Sequence, residues 1–115
     1  MTNTTVANYI AAWNEGDAER RRALVGETWT DDGTYVDPLM AGSGPDEIAA
    51  MIGAAQAQFP GHRFSLAAGP DTHNDVVRFS WTLSGPGGAV ASGQDFGVLA
   101  SDGRLRSVTG FLEVA

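Results

Sequence analysis

Apolar residues recur at helical spacing in the first half of the chain and at alternating spacing in the second, and the period changes at Pro60-Gly61. Val6, Tyr9, Ile10 and Trp13 fall on one face of a helix predicted from about Thr4 to Asn14. Gly16 ends that helix, and Asp17 caps a second, roughly Ala18 to Thr28, which turns Leu24, Val25, Thr28 and Trp29 inward. Asp31-Asp32-Gly33 is a turn signal leading into a short strand, Gly33 to Pro38. Alternation puts Tyr35 and Asp37 on one side of that strand and Thr34 and Val36 on the other. Pro38 cannot donate to a sheet ladder and holds Asp37 extended, so it ends the strand and sets the direction in which the carboxylate leaves the backbone. Leu39 to Ser43 reads as a loop. Gly44-Pro45-Asp46-Glu47 then opens a third helix with Ile48, Ile52, Ala55 and Phe59 as its buried stripe and Met51 beside them.

Beyond Pro60-Gly61 four strands are expected, each bounded by glycine or proline. Arg63 to Ala68 carries Phe64 and Leu66 on one face; Val76 to Leu83 carries Val77, Phe79, Trp81 and Leu83 inward against Arg78, Ser80 and Thr82 outward. A long strand, about Ala89 to Leu99, meets the last, Arg104 to Val114, through the hairpin signal Asp102-Gly103. A two-residue loop there pairs Ser101 with Arg104, and counting outward sets Asp95 opposite Gly110, on a face shared with Val108 and Leu112. Helices followed by a five-stranded, mostly antiparallel sheet make an α+β fold whose curved sheet leaves a concave face, a usual place for a ligand.

At 115 residues, 43% of them hydrophobic, the chain is expected to form one domain, 1–115, with a core that needs no staples. It has no cysteine, which excludes disulfides, thiolate metal sites and a cysteine nucleophile. Fourteen acidic against seven basic residues leave a net charge of -7, the wrong sign for a phosphate backbone, so nucleic acid is not an expected partner. The Arg20-Arg21-Arg22 run spans too much of a helical turn to form one face and reads as solvated. No apolar run approaches the ~18 residues of a membrane helix, and the first residues do not read as a leader, so a soluble cytoplasmic protein is expected. His62 and His73 have no ligand-pair spacing with each other or with the aspartates, so no metal site is expected.

The motifs Tyr9-x-x-x-Trp13-Asn14-x-Gly16-Asp17, Tyr35-x-Asp37-Pro38, Gly93-x-Asp95, Asp102-Gly103-Arg104-Leu105 and Gly110-Phe111-Leu112, in that order, resemble the nuclear transport factor 2-like superfamily and within it the SnoaL-like group. The resemblance covers nearly the whole chain. It implies a cone of three N-terminal helices packed on a curved sheet around an internal pocket, and a homodimer paired through the outer sheet face. The ketosteroid isomerase branch, a standard case of carboxylate tuning, implies three roles: a first-helix tyrosine at Tyr9, a general base before proline at Asp37, and a protonated late-strand acid at Asp95.

The chemistry implied is proton transfer beside the carbonyl of a small hydrophobic molecule, without metal or organic cofactor. Asp37 removes the proton while Tyr9 and a neutral Asp95 donate to the developing enolate oxygen. In an aldol-type ring closure, the SnoaL-like alternative, either Asp95 or Asp37 moves protons between carbon and oxygen. Trp13, Tyr35, Met51, Phe79, Trp81 and Leu112 are candidates to line the pocket, and His73 a candidate proton shuttle at its mouth. A member of the same fold that only binds a hydrophobic ligand or its own partner subunit is the alternative.

Overall fold

The computed structural model describes residues 2–114. Among these, α1 is Thr2–Asn14, α2 Ala18–Thr28, β1 Trp29–Val36, β2 Ala41–Ser43, α3 Gly44–Gln58, β3 Arg63–His73, β4 Val76–Gly85, β5 Gly88–Leu99 and β6 Leu105–Val114. The strands form one sheet in the order β2-β1-β6-β5-β4-β3, parallel between β1 and β6 and antiparallel elsewhere. The α+β expectation holds, with six strands rather than five.

Helix ends follow local chemistry. Asp17 accepts the Arg20 N–H at 2.9 Å and caps α2. Pro45 sits in the first turn of α3, with Asp46 and Glu47 beside it at the positive end of the helix dipole. Inward faces pack as the spacing predicts: Val6, Tyr9 and Trp13 from α1, Val25 from α2, Ile48 and Ile52 from α3, and Val77, Phe79, Trp81 and Leu83 from β4 are all buried. Among the described residues no helix is long and apolar enough to cross a membrane.

Four local readings need correction. Trp29, expected at the end of α2, is the first residue of β1 and fully buried. The Asp31-Asp32-Gly33 turn lies inside β1 as an irregularity, because the Trp29 ring folds so tightly over Gly33 that a Cβ there would sit 2.9 Å from it. Leu39 to Ser43 is not all loop, since Ala41–Ser43 pairs back onto Thr34–Val36. The arginine run is not uniformly solvated either. Arg21 donates to the Glu15 and Gly16 carbonyls and to Gln56 Oε1, tying the α1–α2 corner to α3, and Arg22 pairs with Asp46 at 2.5 Å.

Candidate active site

Asp37 stands at the corner where the chain leaves β1. Its Oδ1 accepts the N–H groups of Leu39 at 2.8 Å and Met40 at 2.9 Å, and its own N–H donates to the Met40 carbonyl at 2.9 Å. That turn folds β2 back onto β1, which is why the segment after Pro38 pairs. The remaining oxygen, Oδ2, accepts the Tyr35 hydroxyl at 2.6 Å. Three donors therefore occupy a carboxylate that offers about four lone-pair sites.

Asp95 is held differently. It lies mid-strand on β5, between Phe79 of β4 and Gly110 of β6, and is 2% exposed. The Tyr9 hydroxyl, brought in by α1, donates to Oδ2 at 2.5 Å, while Oδ1 has no hydrogen-bond partner among the described residues. Burial pushes the carboxyl up from its ordinary value to about 6, because the charged form is penalised away from water. The Tyr9 hydrogen bond and the polar edge of the Trp81 indole pull it partly back, and the charge of Asp37 adds to the rise. Both hydroxyls rise well above the ordinary tyrosine range, first through burial and then through the charge of Asp95, so Tyr9 and Tyr35 remain neutral donors.

Tyr9→Phe leaves Oδ2 without its donor. The Asp95 carboxyl should then titrate above its native value of about 6, and stability should fall by about 1–3 kcal/mol, the cost of a buried acceptor left unmade. A carboxyl-detected NMR titration reads the first effect. An unmoved midpoint would mean that Tyr9 only fills space.

Both aspartates line one cavity of about 190 Å³, below the roughly 300–1,000 Å³ usual for drug-sized ligands, so it suits a one- or two-ring molecule. Its walls are almost wholly apolar. Of the residues singled out in the sequence, Tyr9, Trp13, Tyr35, Asp37, Trp81, Asp95 and Leu112 line it. Three do not. Phe79 is buried behind Tyr9, against whose ring it packs edge-on at 5.1 Å. Met51 packs on the core from α3 without reaching the cavity. His73 ends β3, exposed, with its Nδ1 3.0 Å from the Asn74 side chain, because β3 runs on past Ala68 and carries it away from the mouth.

Sequence reasoning missed the rim. Leu39, Met40, Phe59, Val90 and Ala91 also line the cavity, as do the core residues Ile10, Ala55, Phe64 and Leu83. Leu39 is 75% exposed and Phe59 42%, large apolar side chains left at an opening. Spacing alone puts Phe59 in the stripe of α3, but the helix stops at Gln58 and Phe59 falls outside its period.

Residues 6–108 match the SnoaL-like domain family over most of the chain. The chain belongs to the SnoaL-like family. A candidate isomerase of this family from Agrobacterium tumefaciens is 52% identical over 97% of both chains and superposes with a TM-score of 0.92. A candidate SnoaL-like polyketide cyclase from Jannaschia is 18% identical, covers 97% of this chain and 87% of its own, and has a TM-score of 0.74. A protein with a ketosteroid isomerase-like fold from Catenulispora acidiphila, solved with trimethylamine, is 19% identical over 96% and 85% of the two chains, with a TM-score of 0.77. The last two likenesses establish the fold, that of nuclear transport factor 2-like proteins. No curated protein sequence matches the chain. Within this SnoaL-like frame, two tyrosine–aspartate pairs line a small apolar cavity, one with hydrogen bonds to both carboxylate oxygens and one with a buried oxygen left open among the described residues.

Proposed function

We propose that the protein moves a proton beside the carbonyl of a small hydrophobic ketone, with Asp95 as the acid and base. The observation that carries this reading is Asp95 Oδ1, buried without a hydrogen-bond partner among the described residues, in a residue that lines an apolar cavity. A carboxyl that titrates at about 6 is poised to accept and return a proton near neutral pH, and this one keeps lone pairs to do so. Asp37 is the weaker candidate, because three donors already occupy three of its roughly four lone-pair sites. This departs from the division of roles that the ketosteroid isomerase resemblance implies, and it takes one of the two assignments, Asp95 or Asp37, that the ring-closure alternative leaves open.

In the step itself, Oδ1 takes a proton from the carbon beside the carbonyl. The C–H electron pair becomes the new C=C bond, and the carbonyl π pair moves onto oxygen. Where a C=C bond adjoins that carbon, the charge extends along it, and the dienolate takes the proton back from Asp95 at its far carbon as the double bond shifts, which is isomerisation; alternatively the enolate attacks a second carbonyl in the same molecule, which is ring closure. In the second case Asp95 gives its proton to the new alkoxide. Electrons balance within the ligand and the chain, so the chemistry needs no cofactor. The test is exchange of the methyl protons of an aryl methyl ketone in D2O, accelerated by the native protein and not by Asp95→Asn; equal rates in both would leave a binding module.

We also infer that two copies pair through the outer face of the sheet. Phe111 and Val36 are 58% and 46% exposed there, and Phe96 meets Phe111 edge-on with ring centres 5.8 Å apart. Large apolar side chains left exposed on one sheet face are a mark of an interaction surface. Phe111→Glu should convert a dimer to a monomer in sedimentation at micromolar protein. A native protein that sediments as a monomer would remove the inference.

A further inference from the structure

Two buried side-chain polar atoms lack partners among the described residues: Asp95 Oδ1 and Trp13 Nε1. Both residues line the same cavity. Whatever ligand oxygen enters this space must find a donor; the two tyrosine hydroxyls are engaged, and the Trp81 indole N–H is turned towards Asp95. A phenol carries one proton; that of Tyr9 is committed to Asp95 and that of Tyr35 to Asp37. The Trp13 indole N–H is a donor only and makes no hydrogen bond among the described residues.

Trp13 sits one helical turn beyond Tyr9 on α1, so the two face the same way. Its ring lies 5.6 Å from that of Tyr35 on one side and 5.2 Å from Phe64 on the other, wedged into the wall that carries both tyrosine–aspartate pairs. The N–H leans towards the Tyr9 oxygen enough to hold back that hydroxyl's rise slightly, yet makes no hydrogen bond of good geometry with it. A donor in that position is close to the atom that holds Asp95 and is free to serve something else.

We propose that the Trp13 indole N–H, and not the Tyr9 hydroxyl, is the donor that holds the ligand's carbonyl oxygen, while Tyr9 is a positioning residue that orients Asp95. This rests on the proton-transfer reading for what Asp95 then does, but not for the binding itself. It narrows the ligand to a compact one- or two-ring hydrophobe with a carbonyl oxygen, and it makes the site reject the hydrocarbon of the same shape. A site with a buried donor discriminates against a ligand that cannot meet it, because the donor then stays unpaired.

The experiment compares 2-acetylnaphthalene with 2-isopropenylnaphthalene, in which CH2 replaces the carbonyl oxygen, binding to 15N-labelled native protein. The ketone should bind roughly tenfold or more tightly, the worth of one recovered hydrogen bond, and should move the Trp13 indole proton downfield where the hydrocarbon does not. In Trp13→Phe the preference for the ketone should disappear while the hydrocarbon still binds. If that variant does not fold, the native indole shift, assigned by triple-resonance spectra, decides alone. Equal affinity for the two ligands, binding of neither, or tighter ketone binding with the Trp13 resonance unmoved would each overturn the proposal. Exchange of the bound ketone's methyl protons in D2O reports separately on Asp95. A downfield indole shift without exchange keeps Trp13 as the donor and removes the proton transfer, whereas exchange without the shift does the reverse.

Discussion

Asp95→Asn should give a protein that is more stable than the native one at pH 7 and unable to move a proton. The native carboxyl is raised from 3.8 to about 6 by burial, so the folded state holds its proton more tightly than the unfolded chain does. A group with a raised carboxyl value contributes its full stability below the unfolded value. That contribution is lost as the pH rises towards the folded one. Native stability should therefore fall between about pH 4 and pH 6 and stay lower above it. At 1.36 kcal/mol per unit, the buried charge costs about 3 kcal/mol at pH 7.

Asparagine keeps the shape and an acceptor for Tyr9 but never ionises. Its amide N–H2 replaces the oxygen that has no partner now, which returns part of the gain, so the net increase at pH 7 should be about 1–2 kcal/mol. At pH 4, where the folded carboxyl keeps its proton and most of the charge's cost is gone, the order should reverse, with the native protein the more stable by about 1 kcal/mol. Urea titrations at both pH values measure this directly, and an identical pH dependence in native and variant would remove the strained carboxyl from the account. On the functional side, losing a positioned acid and base should slow methyl-proton exchange by about 10²–10⁴-fold. A variant at once more stable and inactive is the signature of a residue kept for chemistry rather than packing.

The elements that a period can reveal were legible in the sequence; the ones set by local side-chain competition were not. The inward faces of α1, α2 and β4 follow from spacing alone, because burying an apolar stripe is the largest driving force in placing them. The pairing of Asp95 with Gly110 is instructive, since the turn that predicts it does not exist. The β5–β6 connection is a three-residue loop, Ser101 to Gly103, closed by the Ala100 N–H on the Arg104 carbonyl, with Gly103 at a φ of 87°. On its own that loop would shift the register by one residue. An extra residue at Arg106 restores it, since Leu99 faces Leu105 but Val98 faces Ser107. The signal was present in the sequence. Leu105 and Val108 are both buried, which strict alternation forbids without a bulge between them.

The candidate site divides in the same way. Asp95 could be singled out because aspartate is rare inside a strand, Asp37 because Pro38 fixes it at a strand end, and Tyr9 only through the resemblance to the ketosteroid isomerase branch. Which oxygen of which carboxylate is left open could not, because it depends on two backbone amides from a segment that reads as loop and on where one tyrosine hydroxyl ends. The unpartnered indole of Trp13 is likewise invisible until the neighbouring hydroxyls have been assigned to their carboxylates.

Gly110→Ala should damage the site by placing one carbon between the two tyrosine–aspartate pairs. A Cβ at Gly110 would stand 2.7 Å from Asp95 Oδ1, 3.2 Å from the Tyr35 hydroxyl and 3.3 Å from Asp37 Cβ, touching both carboxylate pairs at once. Asp95 is the only one of the three that can yield at its far end, and yielding means rotating the carboxyl against the Tyr9 hydrogen bond. The expected loss of stability is about 1–2 kcal/mol, overpacking partly offset by alanine's smaller loss of backbone freedom. The expected loss of proton exchange is larger, on the order of a hundredfold, because a displacement of about 1 Å of the reacting group is enough for that. Gly87→Ala supplies the comparison, since nothing lies within 4 Å of a Cβ there and neither stability nor exchange should change much. A Gly110→Ala protein that exchanges protons at the native rate would mean that Asp95 Oδ1 does not face the ligand, and the assignment of the proton to Asp95 would fall with it.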